Sequence, residues 1–319
     1  MKVFFTGKNS RQGLTDVDPT SLVSVAKKHG YTISEDLTRE DECVVCVDFA
    51  FGTLKVVRKA KRLGVRTCLV VNEPSVVIPQ HAQQRILNKF DKAIFVGRTT
   101  ECPKLKWPQT WTHLREGTSR LDKAVVVNAD KWSFVRGHQY WLRAALSSKS
   151  SIVDVFGPGW ERSVFEKTAH RLFEFLRILF SGCPPDFTGL QYLFAKPVNY
   201  LGTVNNKIDA MSRYKVAIVI ENSSELLTEK LFDTWFAGCV PVFVGPKLKE
   251  YGLPQDLVVE SLPDVESLQK AIEHALNFDI HEFQGKVKTF LLSSEAEEWR
   301  AEQAISQVLQ AAIAASNAN

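Results

Sequence analysis

The sequence predicts an α/β protein made of two successive domains, each a parallel sheet covered by helices, with a cleft between them. Three observations lead there. Short β-branched apolar runs alternate with helical stretches of about ten residues, the pattern of βαβ units. The rhythm breaks over Thr100–Asp122, where Pro103, Pro108 and Gly117 leave little periodicity, and then restarts. The length of 319 residues is about twice the ~150 usual for one domain. The boundaries follow as 1–120 for an N-terminal domain and 121–319 for a C-terminal domain that ends in a helical tail.

The elements read in order. Lys2–Thr6 is apolar and β-prone, Pro19–His29 has helical character, and Glu42–Phe49 is a continuous apolar run of parallel-strand type. Thr53–Leu63 is helix, and its Lys55, Arg58, Lys59, Lys61 and Arg62 read as a solvated outer face. Val65–Val71 is strand, Gln80–Lys89 helix and Ala93–Val96 strand. After the break, Ala124–Val127 is strand, Arg136–Leu146 helix, Ile152–Phe156 strand and Tyr214–Ile220 a strongly β-branched strand. Thr228–Ala237 is helix, Val240–Val244 strand, and the chain from Val265 onward mostly helix. Arg162–Asp209 holds a helix whose Leu172, Phe173, Leu176, Leu179 and Phe180 recur at helical spacing. Packing of that stripe into a core is the expectation, with a seat on a membrane surface as the alternative.

Composition excludes several classes. Hydrophobic residues at 45% and charged residues at 24% are globular values that exclude disorder. Forty Lys and Arg against 36 Asp and Glu give a charge of +4, too small a surplus to imply nucleic-acid binding. No apolar run approaches the ~20 residues of a membrane span, and the start lacks the apolar core of a secretory signal. Peripheral membrane contact stays open. Of the six cysteines, Cys43 and Cys46 are close, but they lie in a strand-like run without a second ligand pair. Buried, reduced thiols in a cytoplasmic protein are expected.

The chemistry concentrates in YKVAIVIENSSELLTEKLFDTWFAGCVPVFVGP, Tyr214 to Pro246. It reads as strand, polar loop, helix, strand. Thr228 suits a helix N-cap, Glu229 suits the positive terminus, and Gly238 suits a C-terminal stop. Lys230 is the exception, because a cation in the first turn opposes the helix dipole. A bound anion such as a diphosphate would reverse the local sign. Glu221 and Asn222 leave the strand at its carboxyl end, where open α/β sheets bind ligands. Neither a GxGxxG after a strand nor a GxxxxGK[ST] loop occurs. Asp16-Val17-Asp18 has the look of a metal-binding DxD but sits in a turn-forming stretch, so no metal and no cofactor are assigned.

The ENS, TEKL and AGxVPVFxGP segments together resemble the donor-binding signature of the α-1,3-fucosyltransferases, family 10 of the glycosyltransferases. VVVNADKWSFVRGHQYWLRAAL and DVFGPGW are similar to the strand, Arg-bearing helix and glycine loop that precede it in the family. The likeness covers roughly Val125–Pro254 and is faint in the N-terminal half. It implies a GT-B fold, two Rossmann-like αβα domains facing a central cleft. It also implies inverting transfer of fucose from GDP-fucose to a hydroxyl of an oligosaccharide or glycoconjugate.

Carried over by position, Arg136 and Lys230 would hold the donor diphosphate, Asn222 would contact the donor, and Glu229 would accept from the ribose hydroxyls. Glu73, in LVVNEPSVV, resembles the family's catalytic carboxylate and would act as the general base. The family's aromatic residue three positions before the TEK glutamate is Leu226 in this chain, and the preceding loop is shorter. Those departures keep a transferase using another nucleotide sugar in view, as well as a silent nucleotide- or glycan-binding protein. Single-stranded nucleic acid, suggested by Trp132, Phe134, Tyr140 and Trp141 among cations, ranks last because helical spacing buries part of that set.

Overall fold

The structure is a computed structural model that describes residues 2–7, 22–50, 52–98, 104–117 and 119–317. Asp16–Asp18, Cys102 and the first residues of the expected Pro19–His29 helix lie outside the described residues. The chain divides into two units, Met1–Trp111 with Glu297–Asn319, and Thr112–Ala296.

In the first unit β1 (Lys2–Thr6), β2 (Thr32–Ile33), β3 (Cys43–Val47), β4 (Arg66–Val71) and β5 (Lys92–Phe95) form a sheet in the order β2-β1-β3-β4-β5. Every pairing is parallel. A strand covered on both faces must be apolar at every position, and β3 is buried throughout. Its side chains alternate between two cores. Cys43, Val45 and Val47 meet Val23, Val25 and Ala26 of α1 (Leu22–Lys28), whereas Val44 and Cys46 face Val57 and Ala60 of α2 (Thr53–Leu63). The cations of α2 point to solvent, as expected. The expected Gln80–Lys89 helix is a 3-10 turn over Pro79–Ala82 followed by the single turn α3 (Gln84–Leu87).

The second unit has β6 (Leu121–Val127), β7 (Val153–Phe156), β8 (Asn199–Tyr200), β9 (Tyr214–Ile220), β10 (Val240–Val244) and β11 (Val259–Glu260). Its order is β11-β10-β9-β6-β7-β8, all parallel. Numbered within the unit this is 3-2-1-4-5-6, the doubly wound order of dinucleotide-binding domains. The helices are α4 (Tyr140–Lys149), α5 (Val164–Ser181), α6 (Lys207–Met211), α7 (Lys230–Phe236), α8 (Val265–Leu276), α9 (Ile280–Leu291) and α10 (Ser294–Glu297). Gly157 ends β7 at φ +134°, and a Cβ there would come within 2.2 Å of the Asn128 carbonyl oxygen. A residue without Cβ lets the ends of β6 and β7 touch.

The final helix, α11 (Ala301–Asn317), does not extend the second unit as the 121–319 boundary expects. Ala301, Ile305, Val308, Leu309 and Ala312 pack into the core of the first sheet, on the face shared with α1. α1 and α11 together cover that face.

The apolar stripe of α5 also departs from the expected core packing. Leu172, Phe173, Leu176, Leu179 and Phe180 are all exposed, and the buried side of the helix carries Lys167, Arg171 and Ile178. The reason is electrostatic. Asp130, buried in the loop after β6, lies 2.8 Å from the Lys167 ammonium and also pairs with Arg171. One buried carboxylate between two buried cations turns the polar face inward.

Candidate functional site

In a doubly wound sheet, ligands bind outside the carboxyl ends of the strands where the strand order reverses. In the second unit that place is between β6 and β9. Asn128 follows β6, Glu221 and Asn222 follow β9, α4 supplies Arg143, and α7 supplies Lys230. A narrow pocket at this point is lined by Val127, Asn128, Arg143, Ile220 and Lys230.

Glu221 anchors the arrangement. Its carboxylate has no exposed surface, and it accepts hydrogen bonds from the Thr228 backbone N–H at 2.8 Å and the Thr228 hydroxyl at 2.9 Å. The Lys230 ammonium donates to Glu221 Oε2 at 2.7 Å and to Thr228 Oγ1 at 2.7 Å. Thr228 therefore turns its side chain to Glu221 instead of capping the helix, and α7 starts at Lys230 with no side-chain cap. The sign conflict of a cation in the first turn is resolved by this buried carboxylate. Gly238 closes the helix at φ +69°, as the sequence suggests.

Arg143 is buried beneath the same pocket. Its Nη2 donates to the Ile220 carbonyl and, at 2.9 Å, to Asn222 Oδ1, and its guanidinium lies 5.1 Å from the centre of the Tyr140 ring. Burial lowers its pKa, against the raising influence of Tyr140, Glu221 and Glu229. Among the described residues Arg143 forms no ion pair. Asn222 is half-buried and also accepts the Gln139 N–H at 3.0 Å, which ties the approach to α4 to the end of β9. Glu229 stands at the rim, 3.7 Å from Lys207, which also pairs with Asp233. Burial alone would raise the Glu229 carboxyl; the Lys230 and Lys207 ammonium groups overcome it and hold the pKa below the usual value. The pocket thus offers two cations, an amide and a carboxylate at the edge, a set suited to a diphosphate and an adjoining diol.

Arg136 does not open a helix. It is exposed in a turn, four residues before α4 begins, and among the described residues it has no ion-pair partner. Arg143, one of the other cations in the same segment, is the arginine brought to the pocket beside Asn222. In the sequence Arg143 stands only among the cations between the aromatic residues, because its partners, Ile220 and Asn222, are far from it along the chain. His138 is packed against Trp132 and Tyr140, and burial pushes its pKa down to about 4. Trp132, Phe134 and Tyr140 are buried too, and Trp141, half-buried, is stacked on Tyr192, which leaves little aromatic surface for a single strand.

In the first unit, Glu73 lies two residues past β4, half-buried. Its backbone is held from both sides. The N–H groups of Asn72 and Glu73 donate to Asp48 Oδ1, each at 2.9 Å, and the Glu73 carbonyl accepts from His81 Nδ1 at 2.8 Å. His81 Nε2 in turn accepts the Phe49 N–H at 3.0 Å, so the ring is the neutral Nδ1–H tautomer. Asp48 and His81 are both buried, and Asp48 takes a left-handed φ of +56° to make these bonds. No local signal announces this pairing, because Asp48 and His81 are 33 positions apart and neither sits in a motif.

A larger cavity of about 670 Å³ lies elsewhere in the second unit, between residues 252–257 and α9. Asp256, Glu282 and Glu295 line it, and its Lys286 is paired to Glu282 at 2.7 Å. That charge repels a diphosphate, so volume alone does not locate the site.

No family profile matches the chain. Over 74 residues it is 36% identical to a fucosyltransferase-like protein of Arabidopsis thaliana; the match takes in 22% of this chain and 14% of that protein. Among solved structures, T4 phage β-glucosyltransferase superposes with a TM-score of 0.58 at 10% identity, over 98% of this chain and 99% of its own. An α1,3-fucosyltransferase gives 0.55 at 12% identity, over 100% and 91%. HepE of Anabaena in complex with UDP gives 0.54 at 10% identity, over 98% and 99%. At such identities the structures speak to the fold. The chain has the GT-B fold of these glycosyltransferases, and its resemblance to the fucosyltransferases, read first in the ENS, TEK and VPV segments, recurs in both comparisons.

Proposed function

We propose that this chain is a glycosyltransferase that moves fucose from GDP-fucose to a hydroxyl of a glycan acceptor, with inversion at the anomeric carbon. The observation that carries the reading is the pair of cations, Arg143 and Lys230, at the switch point of a sheet in doubly wound order. A nucleoside diphosphate is what such a pair would neutralise, and a leaving diphosphate is where negative charge grows in sugar transfer. Lys230 and Arg143 hold the diphosphate, Arg136 reaches it from the turn before α4, Asn222 contacts the donor, and Glu229 accepts from the ribose hydroxyls. Glu73 takes the proton of the acceptor hydroxyl. The acceptor oxygen forms its bond to the anomeric carbon as the bond from that carbon to the phosphate oxygen breaks, and GDP departs with both electrons. Free thiols at Cys43, Cys46, Cys68, Cys183 and Cys239 favour a reducing, cytoplasmic setting.

A second reading, transfer from another nucleotide sugar, is favoured by Leu226. This residue is 1% exposed, so it offers the donor neither a ring nor a hydroxyl. Thermal shifts with GDP, UDP and CMP separate the two. A nucleotide at ~100 times its dissociation constant adds about 2.7 kcal/mol of stability. The proposal expects GDP to give the largest shift; a larger shift with UDP replaces fucose by another sugar, and equal small shifts from all three contradict both readings.

A further inference from the structure

Helix α5 is amphipathic in reverse. At about 100° per residue, Phe165, Ala169, Leu172, Phe173, Leu176, Leu179 and Phe180 occupy a sector roughly 120° wide that holds no charge. This sector faces solvent, with Phe165 81% and Phe180 87% exposed and the four larger side chains between them 41–63% exposed. The opposite sector carries Lys167 and Arg171, buried on Asp130. A helix fixed by three buried charges cannot roll its apolar side inward, so the exposed face is a property of the fold.

We propose that this face is covered by a second copy of the chain, with α5 packing antiparallel against its twin across a two-fold axis near Leu172. Three observations choose this occupant. Phe165, Ala169, Leu172, Leu176 and Leu179 follow alternating steps of four and three residues, the spacing that lets one helix seat in the groove of another. Ala169 and Thr168 are small and allow close approach. The six large exposed side chains present roughly 700 Å², taking about 150–200 Å² for each when fully exposed, close to the ~800 Å² per partner of a standard interface.

Charge points the same way. Lys167 and Arg171 are buried, so Arg162 and Arg177 are left with Glu161, Glu166 and Glu174 around the face. An acidic lipid surface would find no basic patch there. Two antiparallel helices would instead bring Glu166 of each copy, the capping-box partner of Ser163, toward Arg177 of the other, which already pairs with Glu174 at 2.7 Å, because both residues flank the same edge of the sector. The isologous arrangement doubles every contact.

Sedimentation equilibrium of the full chain from about 1 to 100 µM, a range bracketing micromolar dissociation constants, reads the prediction. The wild type is a dimer in the upper part of the range, and Leu172→Glu with Leu176→Glu raises the dissociation constant at least tenfold with unchanged circular dichroism. Leu172→Cys, next to the axis, forms an interchain disulfide under oxidation, and Glu166→Cys does not pair with itself. A wild type that stays monomeric at 100 µM overturns the proposal, as does a double variant that dimerises like the wild type. Flotation of the wild type with phosphatidylcholine vesicles, lost in the double variant, would assign the face to lipid and also overturn it. The outcome does not depend on which sugar nucleotide the second unit binds.

Discussion

Glu221, fully buried, and Lys230, whose side chain keeps 26% of its surface in water, form a pair whose members are not equally replaceable. Lys230→Ala leaves the carboxylate buried with only the Thr228 bonds. It lowers stability by about 2 kcal/mol, less than the ~3–5 of a fully buried pair because the lysine is partly solvated. The same substitution weakens nucleotide binding, whereas the double variant Glu221→Gln/Lys230→Met regains the stability without regaining affinity. Denaturant titration and calorimetry separate the two losses. At Glu73 the expected split is different. Glu73→Gln keeps donor affinity and lowers turnover by about 10²–10⁴-fold, measured as transfer or donor hydrolysis; full activity in that variant removes the base assignment. His138 gives a pH prediction. Its folded pKa of about 4 lies below the ~6.5 of an unfolded histidine, so the unfolded state binds a proton that the folded state refuses. The stability is whole above pH ~6.5 and falls as the pH drops toward 4, by about 3 kcal/mol; His138→Phe flattens that slope in urea titrations at pH 7 and pH 4.5.

At the scale of elements, the longer strands were legible because a strand covered on both faces writes a continuous apolar run, whereas the two-residue strands β2, β8 and β11 write none. Tyr214–Ile220, Val240–Val244 and the helix Thr53–Leu63 have the bounds read from sequence. Helix starts were less legible where no cap is written. Helix α4 begins at Tyr140 behind Gln139, whose side chain caps nothing, so its first turn could not be placed and Arg136 was assigned to it. Helix α7 loses Thr228 to Glu221, a partner seven residues away that no capping pattern announces. In helix α5 the periodicity of leucines and phenylalanines gives a face but not its direction. Its direction comes from Asp130, outside the helix, and this can be tested on the charges. Asp130→Asn leaves Lys167 and Arg171 buried without a counter-charge and costs about 3–5 kcal/mol. Lys167→Met keeps the Asp130–Arg171 pair, removes a surplus charge and costs less than about 1 kcal/mol. Equal losses in the two variants would remove the triad as the cause.

For the whole molecule, the two sheets share parallel pairing but not strand order, and the candidate roles divide between them. The second unit, in the 3-2-1-4-5-6 order, gathers Arg143, Asn222, Glu229 and Lys230 around one switch point. The first presents Glu73 on a backbone clamped by Asp48 and His81. The nearness of Glu221, Asn222 and Lys230 was readable, since ENS and TEK lie within one strand-loop-helix unit and local spacing places them together. Arg143 and the Asp48–His81 clamp were not readable, because their partners are brought by the fold from distant positions. The return of α11 to the first sheet belongs to the same class: a helix is visible in the sequence, but which core it completes depends on which face lacks cover. The claim beneath all of this is that the second unit grips a nucleoside diphosphate with Arg143 and Lys230. Calorimetric titration of GDP and UDP into the wild type and Lys230→Ala tests it most directly. The account predicts saturable binding of one nucleotide per chain, weakened at least tenfold (about 1.4 kcal/mol) in the variant. Equal affinity in the two proteins, or no binding to the wild type at millimolar nucleotide, contradicts it.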